Sequence, residues 1–489
     1  RYIMNKISCF LPYAGKEQVE KTVNSLQATG LIEEIRLITT DATLESLPGC
    51  EILFVDMPYS SATLKAIANA AKGEYTLLYT KETTLEMGMF ALERMIHILE
   101  DSSAGMVYAD HYQIADGKQS NAPVIDYQFG SLRDDFNFGS LLLFNTEKLK
   151  EAAGHMKSDY NFAGLYDLRL KLSQHSNLVH INEYLYSEVE NDTRKSGEKI
   201  FDYVDPKNRD RQIEMEQACT EHLKEIGGYL APEFKKIEFS AGNFEYEASV
   251  IIPVRNRIRT IRDAIKSVLM QKTDFKYNLI IIDNHSTDGT TEAIDEFKDD
   301  ERLIHIVPER NDLGIGGCWN VGVHHPKCGK FAVQLDSDDV YKDENTLAIM
   351  VRAFYEQNCA MVVGTYMMTD FNMNMIAPGI IDHKEWTPAN GRNNALRING
   401  LGAPRAFYTP VLREVKVPNT SYGEDYALGL NFSRQYQIGR VYDVVYLCRR
   451  WDDNSDASLD IVKMNGHNLY KDRIRTWELQ ARIAMNKNK

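Results

Sequence analysis

The stretch "GKFAVQLDSDDVY" over residues 329–341 joins a strand pattern directly to a group of carboxylates. Its mostly apolar run predicts a buried strand, and Asp336, Asp338 and Asp339 follow that run within four positions. Because Asp and Ser are common turn formers, a plain surface turn is one interpretation. The other is a cation site, since carboxylate oxygens bind Mg²⁺ or Mn²⁺ while the ion shares its remaining positions with phosphate oxygens.

This stretch has a counterpart earlier in the chain, "GEYTLLYTKET" from Gly73, and both belong to a wider internal repeat. The opening "ISCFLPYAGKEQVEKTVNSL" follows the same plan as "ASVIIPVRNRIRTIRDAIKSVL", and "GLYDLRLKLS" matches "YGEDYALGLNFS". The matches keep one order, at spacings from 241 residues (Ile7 to Ala248) to 264 residues (Arg209 to Arg473). A repeat of this length predicts two copies of one domain.

The repeat also sets the predicted domain boundaries. We expect a first domain at residues 1–195, a helical connector at 196–245 and a second domain at 246–489. In each copy, short β-branched or aromatic runs alternate with amphipathic helical segments, which predicts an α/β fold with a Rossmann-like, mostly parallel sheet. Ligands bind such sheets beyond the carboxyl ends of the strands, where the 336–339 carboxylates lie.

The composition narrows the class of protein. The chain has 489 residues, 43% of them hydrophobic, and a net charge of −14, which disfavours a general nucleic-acid binder. We expect no signal peptide and no transmembrane segment, because no run approaches the roughly 20 apolar residues that span a bilayer. The seven cysteines are scattered without a CxxC pair, which favours a reducing cytoplasm over a disulfide framework or a zinc site.

Two segments near the start of the second copy predict contacts to a nucleotide. Asp283 ends the run "NLIIID", either as a strand-end turn with Ser286 or Thr287 capping the next helix, or as an acceptor for the imide N–H of uracil. Arg255 and Arg257 in the "PVRNR" turn are either solvated or face a diphosphate. A glycine-rich turn, "NDLGIGGCWNVG" from Asn311, predicts a close backbone approach to the loop at residues 336–339, the predicted cation site.

The segment "TSYGEDYALGL" supplies a second pair of acids. Ser421 and Glu424 have the spacing of a capping box, so a structural role is one interpretation of Glu424. Asp425 is not needed for that box, and it is either a favourable charge in the first helical turn or a general base for an acceptor hydroxyl. Further on, Arg449 and Arg450 are either a surface pair bonded to nearby aspartates or groups that neutralise a leaving diphosphate.

The first copy lacks these features and serves as an internal comparison. Thr80, Lys81 and Glu82 stand where the second copy has its Asp-Ser-Asp triplet. Tyr166 and Asp167 keep only one acid of the later pair, and no arginine follows the last strand pattern. We therefore expect one working site, in the second copy, and a degenerate first copy that supports the second or mediates self-association into a homo-oligomer.

With these motifs in place, the second half closely resembles glycosyltransferase family 2, of the GT-A fold. The resemblance is carried by "SVIIPVRNR", "IIDNHSTDGT", "QLDSDD", the "GED" acids and "RRW", in that order over nearly all of residues 246–489. It implies a catalytic role for Asp425 with Glu424, and metal binding by Asp336 and Asp338. The residues implied to bind the nucleotide-sugar donor are Pro253, Val254, Arg255, Arg257, Asp283, Asn320, Asp336, Ser337, Arg449 and Arg450.

The resemblance also implies the reaction. A sugar would move from a nucleotide diphosphate donor, most often a UDP-sugar, to an acceptor hydroxyl with inversion at the anomeric carbon and with Mn²⁺ or Mg²⁺. It implies a glycan acceptor, including a lipid-linked one, and surface polysaccharide synthesis in the cytoplasm or peripherally at the inner face of the membrane. The insertion before Tyr408 would line the acceptor side, where Trp386 or Tyr408 either stacks on a sugar ring or packs in the core.

Two other functions compete with a single-site transferase. One is a bifunctional glycan polymerase in which both copies transfer sugars, against which the Thr80-Lys81-Glu82 triplet counts. The other is a non-enzymatic scaffold that binds sugar nucleotides, against which the complete acid set of the second copy counts. Both hypotheses predict binding of a nucleotide sugar, and neither predicts binding of nucleic acid.

Overall fold

The computed structural model describes residues 6–189, 208–240, 242–451 and 459–488, and it divides into two compact units. Unit 1 comprises Arg1–Lys199, Pro206–Gly228 and Leu459–Thr476, and unit 2 comprises Ile200–Asp205, Tyr229–Ser458 and Trp477–Lys489. Contacts therefore assign the helix of the predicted connector, and part of the closing helix, to unit 1. The boundaries at 195 and 245 remain a prediction about where independent domains begin and end.

Unit 1 alternates strands and helices in the way that its sequence pattern predicts. Its strands are β1 Ile7–Pro12, β2 Ile32–Thr39, β3 Glu51–Phe54, β4 Tyr75–Tyr79, β5 Leu85–Met87, β6 Met106–Ala115, β7 Lys118–Ala122, β8 Leu141–Asn145 and β9 Leu178–Val189. Its helices are α1 Lys16–Gln27, α2 Ser61–Ala70, α3 Ala91–Asp101, α4 Thr146–His155, α5 Gly164–His175 and α6 Arg209–Glu225.

Unit 2 repeats this order of elements. Its strands are β10 Ala248–Val254, β11 Tyr277–Asp283, β12 Leu303–Ile306, β13 Phe331–Gln334, β14 Val340–Tyr341, β15 Met361–Thr369, β16 Met375–Ile381, β17 Arg405–Tyr408 and β18 Ile438–Arg449. Its helices are α7 Ile261–Leu269, α8 Thr290–Asp295, α9 Ile315–Val323, α10 Thr346–Gln357, α11 Gly391–Asn394, α12 Thr409–Val415 and α13 Glu424–Gln435. The closing helix α14, Ile461–Lys487, has residues in both units.

The two sheets have the same topology. Within the described residues, each sheet has nine strands, in the orders β3-β2-β1-β4-β8-β6-β9-β5 and β12-β11-β10-β13-β17-β15-β18-β14, with β7 on β6 and β16 on β15. The first four strands of each order are parallel. The next strand, β8 or β17, is antiparallel to its neighbours, so each sheet is mixed. The predicted tandem α/β fold is confirmed.

Helices cover both faces of the parallel strands, which explains their nearly continuous apolar runs. In β1, Cys9 packs into one buried cluster while the adjacent Phe10 packs into another, because successive side chains of a strand point to opposite faces. In β11 all seven residues are buried, including the terminal Asp283. The carboxyl ends of β10, β11 and β13 therefore meet at one edge of the unit 2 sheet, and this edge carries the predicted site.

Among the described residues, none of the helices is both long enough and apolar enough to cross a bilayer.

Candidate active site

The metal loop, residues 336–339, begins where the β13 strand ends. The Gln334 carboxamide donates from Nε2 to Asp336 Oδ1 at 2.9 Å, and its Oε1 accepts a hydrogen bond from the backbone N–H of Arg405 at 3.1 Å. The backbone N–H of Asp336 donates to the hydroxyl oxygen of Tyr446 at 3.1 Å. The loop is thus held from β13, β17 and β18, so the first predicted metal ligand has a fixed backbone position.

Asp339 is the buried anchor of this loop. Its carboxylate accepts the Tyr446 hydroxyl at Oδ2 and the Arg449 backbone N–H at Oδ1, each at 2.8 Å. Burial, and the neighbouring charges of Asp338 and Asp336, raise the pKa of Asp339 well above its usual value. Asp339 therefore joins the metal loop to β18 and does not face solvent.

Ser337 and Asp338 complete the loop. The Ser337 carbonyl accepts the Thr260 hydroxyl at 2.9 Å, which joins the loop to the start of α7. Asp338 accepts the indole N–H of Trp451 at Oδ2, at 3.3 Å, while its backbone carbonyl accepts Arg449 Nε at 2.7 Å. Both Asp336 and Asp338 are half-buried, and they are the carboxylates of the loop that remain in contact with solvent.

The acid pair lies at the start of α13. The helix begins at Glu424 after Gly423 in a left-handed conformation (φ 81°), without a side-chain cap, so the predicted capping box between Ser421 and Glu424 is wrong. Ser421 Oγ instead accepts the backbone N–H of Ile315 at 3.4 Å. Gly423, with its positive φ, turns the chain into the helix, and its position as the N-cap leaves Ser421 outside the helix.

Arg405, at the start of β17, connects the two acidic groups. Its Nη1 lies 3.1 Å from Asp425 Oδ2, and it also donates to the Leu401 carbonyl at 3.0 Å. Burial lowers the pKa of the Arg405 guanidinium, but the carboxylates of Asp425, Asp336 and Glu424 outweigh it and raise that pKa above its ordinary value. Arg405 thus pairs with Asp425 and feels the charges of Asp336 and Glu424, while Asp338 acts on Asp336 within the same cluster.

The charges in this cluster are not balanced. Burial is the largest influence raising the pKa of Asp336, and the charges of Asp338 and Asp425 add to it while Arg405 opposes it. Burial and the charge of Asp425 likewise raise the pKa of Glu424 to about 7. The structure therefore gathers more negative charge at this sheet edge than Arg405 neutralises.

These residues fit a divalent cation. Hard oxygen ligands from two carboxylates, with the remaining positions left for phosphate oxygens and water, are the arrangement that Mg²⁺ and Mn²⁺ take with nucleotides. Asp336 and Asp338 would hold the ion, whose charge would offset the excess negative charge of the cluster. Within the described residues there is no group of three or more His, Cys, Asp or Glu side chains placed to hold a metal by themselves.

Asp283 lies in a separate hydrogen-bond network at the end of β11. Its Oδ1 accepts the Ser286 N–H at 3.1 Å, and its Oδ2 accepts the Thr291 hydroxyl at 2.6 Å and lies 3.3 Å from His305 Nε2. Burial raises its pKa, but these hydrogen bonds outweigh burial and leave the pKa below its usual value. The residue is 0% exposed, so contact with a uracil ring needs a rearrangement of this loop.

The helix after this loop is capped differently from the prediction. Helix α8 follows Gly289, and neither Ser286 nor Thr287 caps it. The Asp288 carboxylate instead accepts the N–H groups of Thr290 at 3.0 Å and Ile258 at 3.1 Å. Asp288 thereby joins the loop between β11 and α8, residues 284–289, to the turn that follows β10.

The predicted donor-binding residues of the β10 turn lie at the same edge. Pro253 and Val254 pair with the last two residues of β11, and Arg255 is exposed. Arg257 is half-buried, with its guanidinium 5.9 Å from the centre of the Trp451 ring. Basic side chains therefore lie on the Trp451 side of the metal loop, where a diphosphate would bring negative charge.

Arg449 does not lie where the diphosphate prediction expects it. Its side chain is 1% exposed, and Nη1 is paired with Asp263 of α7 at 2.8 Å. Contact with a diphosphate would require that this pair open. Arg450 is half-buried, and its backbone N–H donates to the Thr369 carbonyl at 2.8 Å, while the aspartates of the alternative surface pair lie outside the described residues.

Asn320 and the glycine-rich turn approach the acid pair and not the metal loop. The Asn320 carboxamide donates to the Val417 carbonyl at 2.7 Å and accepts the Val417 N–H at 2.9 Å. The N–H of Gly316 donates to the Thr420 carbonyl at 2.9 Å. The predicted close approach is real, but its partner is the segment 417–421 that leads into Glu424.

Trp386 and Tyr408 are core residues. They are 3% and 4% exposed, and the Tyr408 ring packs edge-on against Phe239 at 5.3 Å. Their packing interpretation is thus the one that the structure shows, and neither side chain presents a face for a sugar.

Unit 1 has an internal ion pair in place of the acidic cluster. Lys81 Nζ lies 2.9 Å from Glu188 Oε1, and His111 Nε2 lies 3.1 Å from the same oxygen. Burial raises the pKa of Glu188, but His111 and Lys81 outweigh it and lower that pKa to about 2. Asp167, the remaining acid, is fully buried, and this burial raises its pKa to about 6.

Sequence reasoning did not identify Arg405, Gln334 or Asp339 as parts of the site. Arg405 is a single arginine inside an insertion, with no motif around it, and only the fold brings it to Asp425. Asp339 was visible as the last acid of the "DSDD" run, but the pattern does not show that it points inwards.

Within the second unit, residues 249–406 match the model of glycosyl transferase family 2. An uncharacterized glycosyltransferase of Rickettsia felis is 37% identical over 198 residues, which cover 40% of this chain and 31% of that protein. The putative teichuronic acid biosynthesis glycosyltransferase TuaG of Bacillus subtilis is 29% identical over 26% of this chain and 49% of its own length. The chain thus spans less than half the length of these two relatives.

A solved structure shows a weaker likeness. Residues 1–349 of Staphylococcus aureus TarS, in complex with UDP-GlcNAc, align with a TM-score of 0.37 and 20% identity, over 48% of this chain and 72% of that one.

Proposed function

We propose that this chain, whose residues 249–406 form a glycosyltransferase family 2 domain, is a metal-dependent, inverting glycosyltransferase with one working site in unit 2. It moves a sugar from a nucleotide diphosphate donor, a UDP-sugar, to a hydroxyl of a glycan acceptor. The observation that carries the proposal is the acidic cluster in which Arg405 pairs with Asp425 and feels the charges of Asp336 and Glu424, with Asp338 acting on Asp336.

Asp425 is the group that removes the acceptor proton. Its Oδ2 is held by Arg405 at 3.1 Å and its Oδ1 accepts the Tyr426 N–H at 2.7 Å, so the carboxylate has a defined orientation at the start of α13. The residue is 35% exposed, which leaves it accessible to an acceptor. A general base must reach the proton that it takes within hydrogen-bond distance.

The reaction then balances without a covalent enzyme intermediate. The acceptor oxygen forms a bond to the anomeric carbon from the face opposite the diphosphate, and the bond from that carbon to the diphosphate oxygen breaks. The proton of the hydroxyl passes to Asp425, and the nucleoside diphosphate leaves with the electron pair. Attack from the opposite face inverts the anomeric configuration.

In this proposal Asp336 and Asp338 would hold a divalent ion, whose positive charge would offset the charge on the departing diphosphate. The chain's own contribution is the rigidity of the loop. Tyr446 and Arg449 fix it from β18 through Asp339 and the Asp338 carbonyl, so that both carboxylates keep their positions without reorganisation during the reaction.

The acceptor and cellular setting follow from the family resemblance. TuaG carries a name that refers to teichuronic acid biosynthesis, which supports a glycan acceptor and surface polysaccharide synthesis for this chain. We place the enzyme in the cytoplasm, at the inner face of the membrane, acting on a lipid-linked glycan. The Lys81–Glu188–His111 network disfavours a second working site in unit 1.

The test is release of free nucleoside diphosphate from a panel of nucleotide sugars in the presence of Mn²⁺. Turnover should fall by about 10²–10⁴-fold in Asp425→Asn, because a general base contributes about that much. It should also be lost in Asp338→Ala. Glu82→Ala is the matched control, since Glu82 has the corresponding position in unit 1, and it should retain wild-type turnover.

A binding measurement makes the test independent of the acceptor. Calorimetric titration with UDP and Mn²⁺ should show binding to the wild type and to Asp425→Asn, and loss of binding in Asp338→Ala. Loss of turnover in Glu82→Ala would indicate a second centre in unit 1. A wild-type protein that neither binds UDP with Mn²⁺ nor releases a nucleotide would refute the proposal.

A further inference from the structure

The Arg405 side chain has a place in the site that no motif assigns. It is 13% exposed, so most of its surface is removed from water, and its guanidinium is directed at Asp425. Its Nη1 is shared between the Asp425 carboxylate and the Leu401 carbonyl. A guanidinium held by two acceptors of fixed position can set the orientation of the carboxylate that it contacts.

The backbone of Arg405 is tied to the metal loop as well. Its N–H donates to Gln334 Oε1, and the same Gln334 carboxamide donates to Asp336 Oδ1. A single residue therefore touches the proposed base through its side chain and, through one carboxamide, the proposed metal ligand. The two halves of the site, from β13 and from α13, are connected at this point.

The carboxylates around Asp425 indicate what this connection does. Glu424 stands next to Asp425, Asp336 lies close enough to influence both acids, and Asp338 influences Asp336. The Arg405 guanidinium acts on both Asp336 and Glu424 and opposes these like charges. The contact between Arg405 Nη1 and Asp425 Oδ2, at 3.1 Å, fixes the direction of the carboxylate among these like charges.

We propose that Arg405 is a positioning residue of the transferase site, which holds the Asp425 carboxylate in the orientation that removal of the acceptor proton requires. The inference rests on the proposed function of unit 2 and deepens it. Arg405 acts through Asp425 and takes no part in bond formation itself. It should therefore affect the rate of the chemical step more than the affinity for the donor.

The experiment compares the turnover number and the KM of five proteins with the donor that the wild type uses. They are the wild type, Arg405→Lys, Arg405→Gln, Arg405→Ala and the control Arg413→Gln. Arg413 lies in α12 and donates to the carbonyls of Val323 and His325, away from the acidic cluster, so its replacement should leave kcat unchanged. Each variant is also titrated with UDP and Mn²⁺ and melted by circular dichroism.

We expect Arg405→Gln to lower kcat by about 10²-fold, since misplacement of a catalytic group by about 1 Å costs roughly that much. The KM for the donor and the affinity for UDP should change by less than about threefold. Arg405→Lys, which keeps the charge but not the fork, should recover part of the rate. In Arg405→Ala, millimolar guanidinium should restore at least about tenfold of the lost rate, a rescue that a purely structural role would not give.

The outcomes separate this inference from the proposed function. Turnover by the wild type with unchanged kcat in Arg405→Gln would overturn the inference and leave the proposed function intact. A drop in kcat that comes with loss of UDP binding and a lower melting temperature, without guanidinium rescue, would also overturn it and show a structural role. No turnover by the wild type with any donor would overturn both.

Discussion

Arg449 donates a hydrogen bond from Nε to the backbone carbonyl of Asp338, at 2.7 Å. A residue that the motif assigns to the diphosphate thus holds the loop that the motif assigns to the metal. Its guanidinium also pairs with Asp263 at 2.8 Å, and its backbone N–H donates to Asp339. Strand β18, helix α7 and the metal loop therefore meet at one buried side chain.

This arrangement predicts that Arg449→Lys weakens metal-dependent nucleotide binding although it keeps the charge. One ammonium group cannot reproduce two hydrogen bonds of fixed direction, to Asp338 and to Asp263. We expect the affinity for UDP with Mn²⁺, measured by calorimetry, to fall by about tenfold or more. Arg352→Lys is the control, because Arg352 is exposed on α10 and pairs with the exposed Glu356 at 3.5 Å. Equal affinity in Arg449→Lys and wild type would contradict the anchoring role.

Glu424 predicts a pH dependence of stability. Burial and the charge of Asp425 raise its pKa to about 7 in the folded protein, above the ordinary value of 4.5. The folded state thus favours the protonated acid, so ionisation makes folding less favourable as pH rises from about 4.5 to 7, and the loss is complete above 7. Glu424→Gln, which is neutral at every pH, should be more stable than the wild type at pH 8 by about 1–3 kcal/mol.

The measurement is urea unfolding of both proteins at pH 4 and pH 8 with EDTA present, so that no metal contributes. The gain should vanish near pH 4, where the glutamate is protonated in both states. Glu414→Gln is the control, because Glu414 is exposed and its replacement should change stability little at either pH. A gain at pH 4 as large as that at pH 8 would show that ionisation of Glu424 is not the cause.

Lys81 predicts a loss of stability with the opposite pH dependence. Burial raises the pKa of Glu188, yet His111 and Lys81 outweigh burial and lower that pKa to about 2. The ionised carboxylate therefore stabilises the folded protein above pH 4.5, its ordinary pKa, and this stabilisation is lost as the pH falls towards 2. Lys81→Met removes one of these partners. Because the lysine is 37% exposed, we expect only about 1 kcal/mol of destabilisation at pH 7, and less at pH 3.

Chemical unfolding at both pH values checks this. Lys65→Met is the control in the same unit, since its partner Asp159 is 95% exposed and 3.9 Å away. The two variants should differ at pH 7 and approach one another at pH 3. If they lose the same stability at pH 7, the Lys81–Glu188 pair is no more than a surface contact.

The fold could be predicted from the sequence because the same pattern of strands and helices occurs twice in the chain. Strand patterns such as "SVIIPV" and "NLIIID" are long, β-branched and buried on both faces, so burial agrees with local propensity. The two sheets then share one strand order, as the repeat predicts. The antiparallel direction of β17 between β13 and β15 could not be foreseen, since the segment that leads to it has no periodic signal.

The site was predicted in part, and the errors have physical causes. Motifs locate acids such as Asp336 and Asp425, because the chemistry needs those groups at strand and helix ends. Motifs do not show the orientation of a long side chain, and so Arg449 was assigned to the diphosphate although it lies in the interior. Nor do they show a lone cation such as Arg405, whose relation to Asp425 arises from tertiary contacts alone.

The glycine at 316 gives a prediction in which two physical rules have opposite signs. Gly316 lies within α9, and Ala in place of Gly inside a helix usually stabilises a protein by up to about 1 kcal/mol. A Cβ atom at Gly316, however, would lie 1.7 Å from the Pro418 carbonyl oxygen, a backbone atom that cannot rotate away. The 418–421 segment must then move, and we expect Gly316→Ala to lose about 1–3 kcal/mol of stability.

Gly154→Ala is the matched control, because Gly154 also lies in a helix, α4, and a Cβ atom there would meet open space. Thermal melts should shift in opposite directions for the two variants. Since the displaced segment leads into Glu424 and Asp425, Gly316→Ala should also lower kcat while Gly154→Ala retains it. A rise in melting temperature for both would mean that α9 and the 418–421 segment are not in close contact.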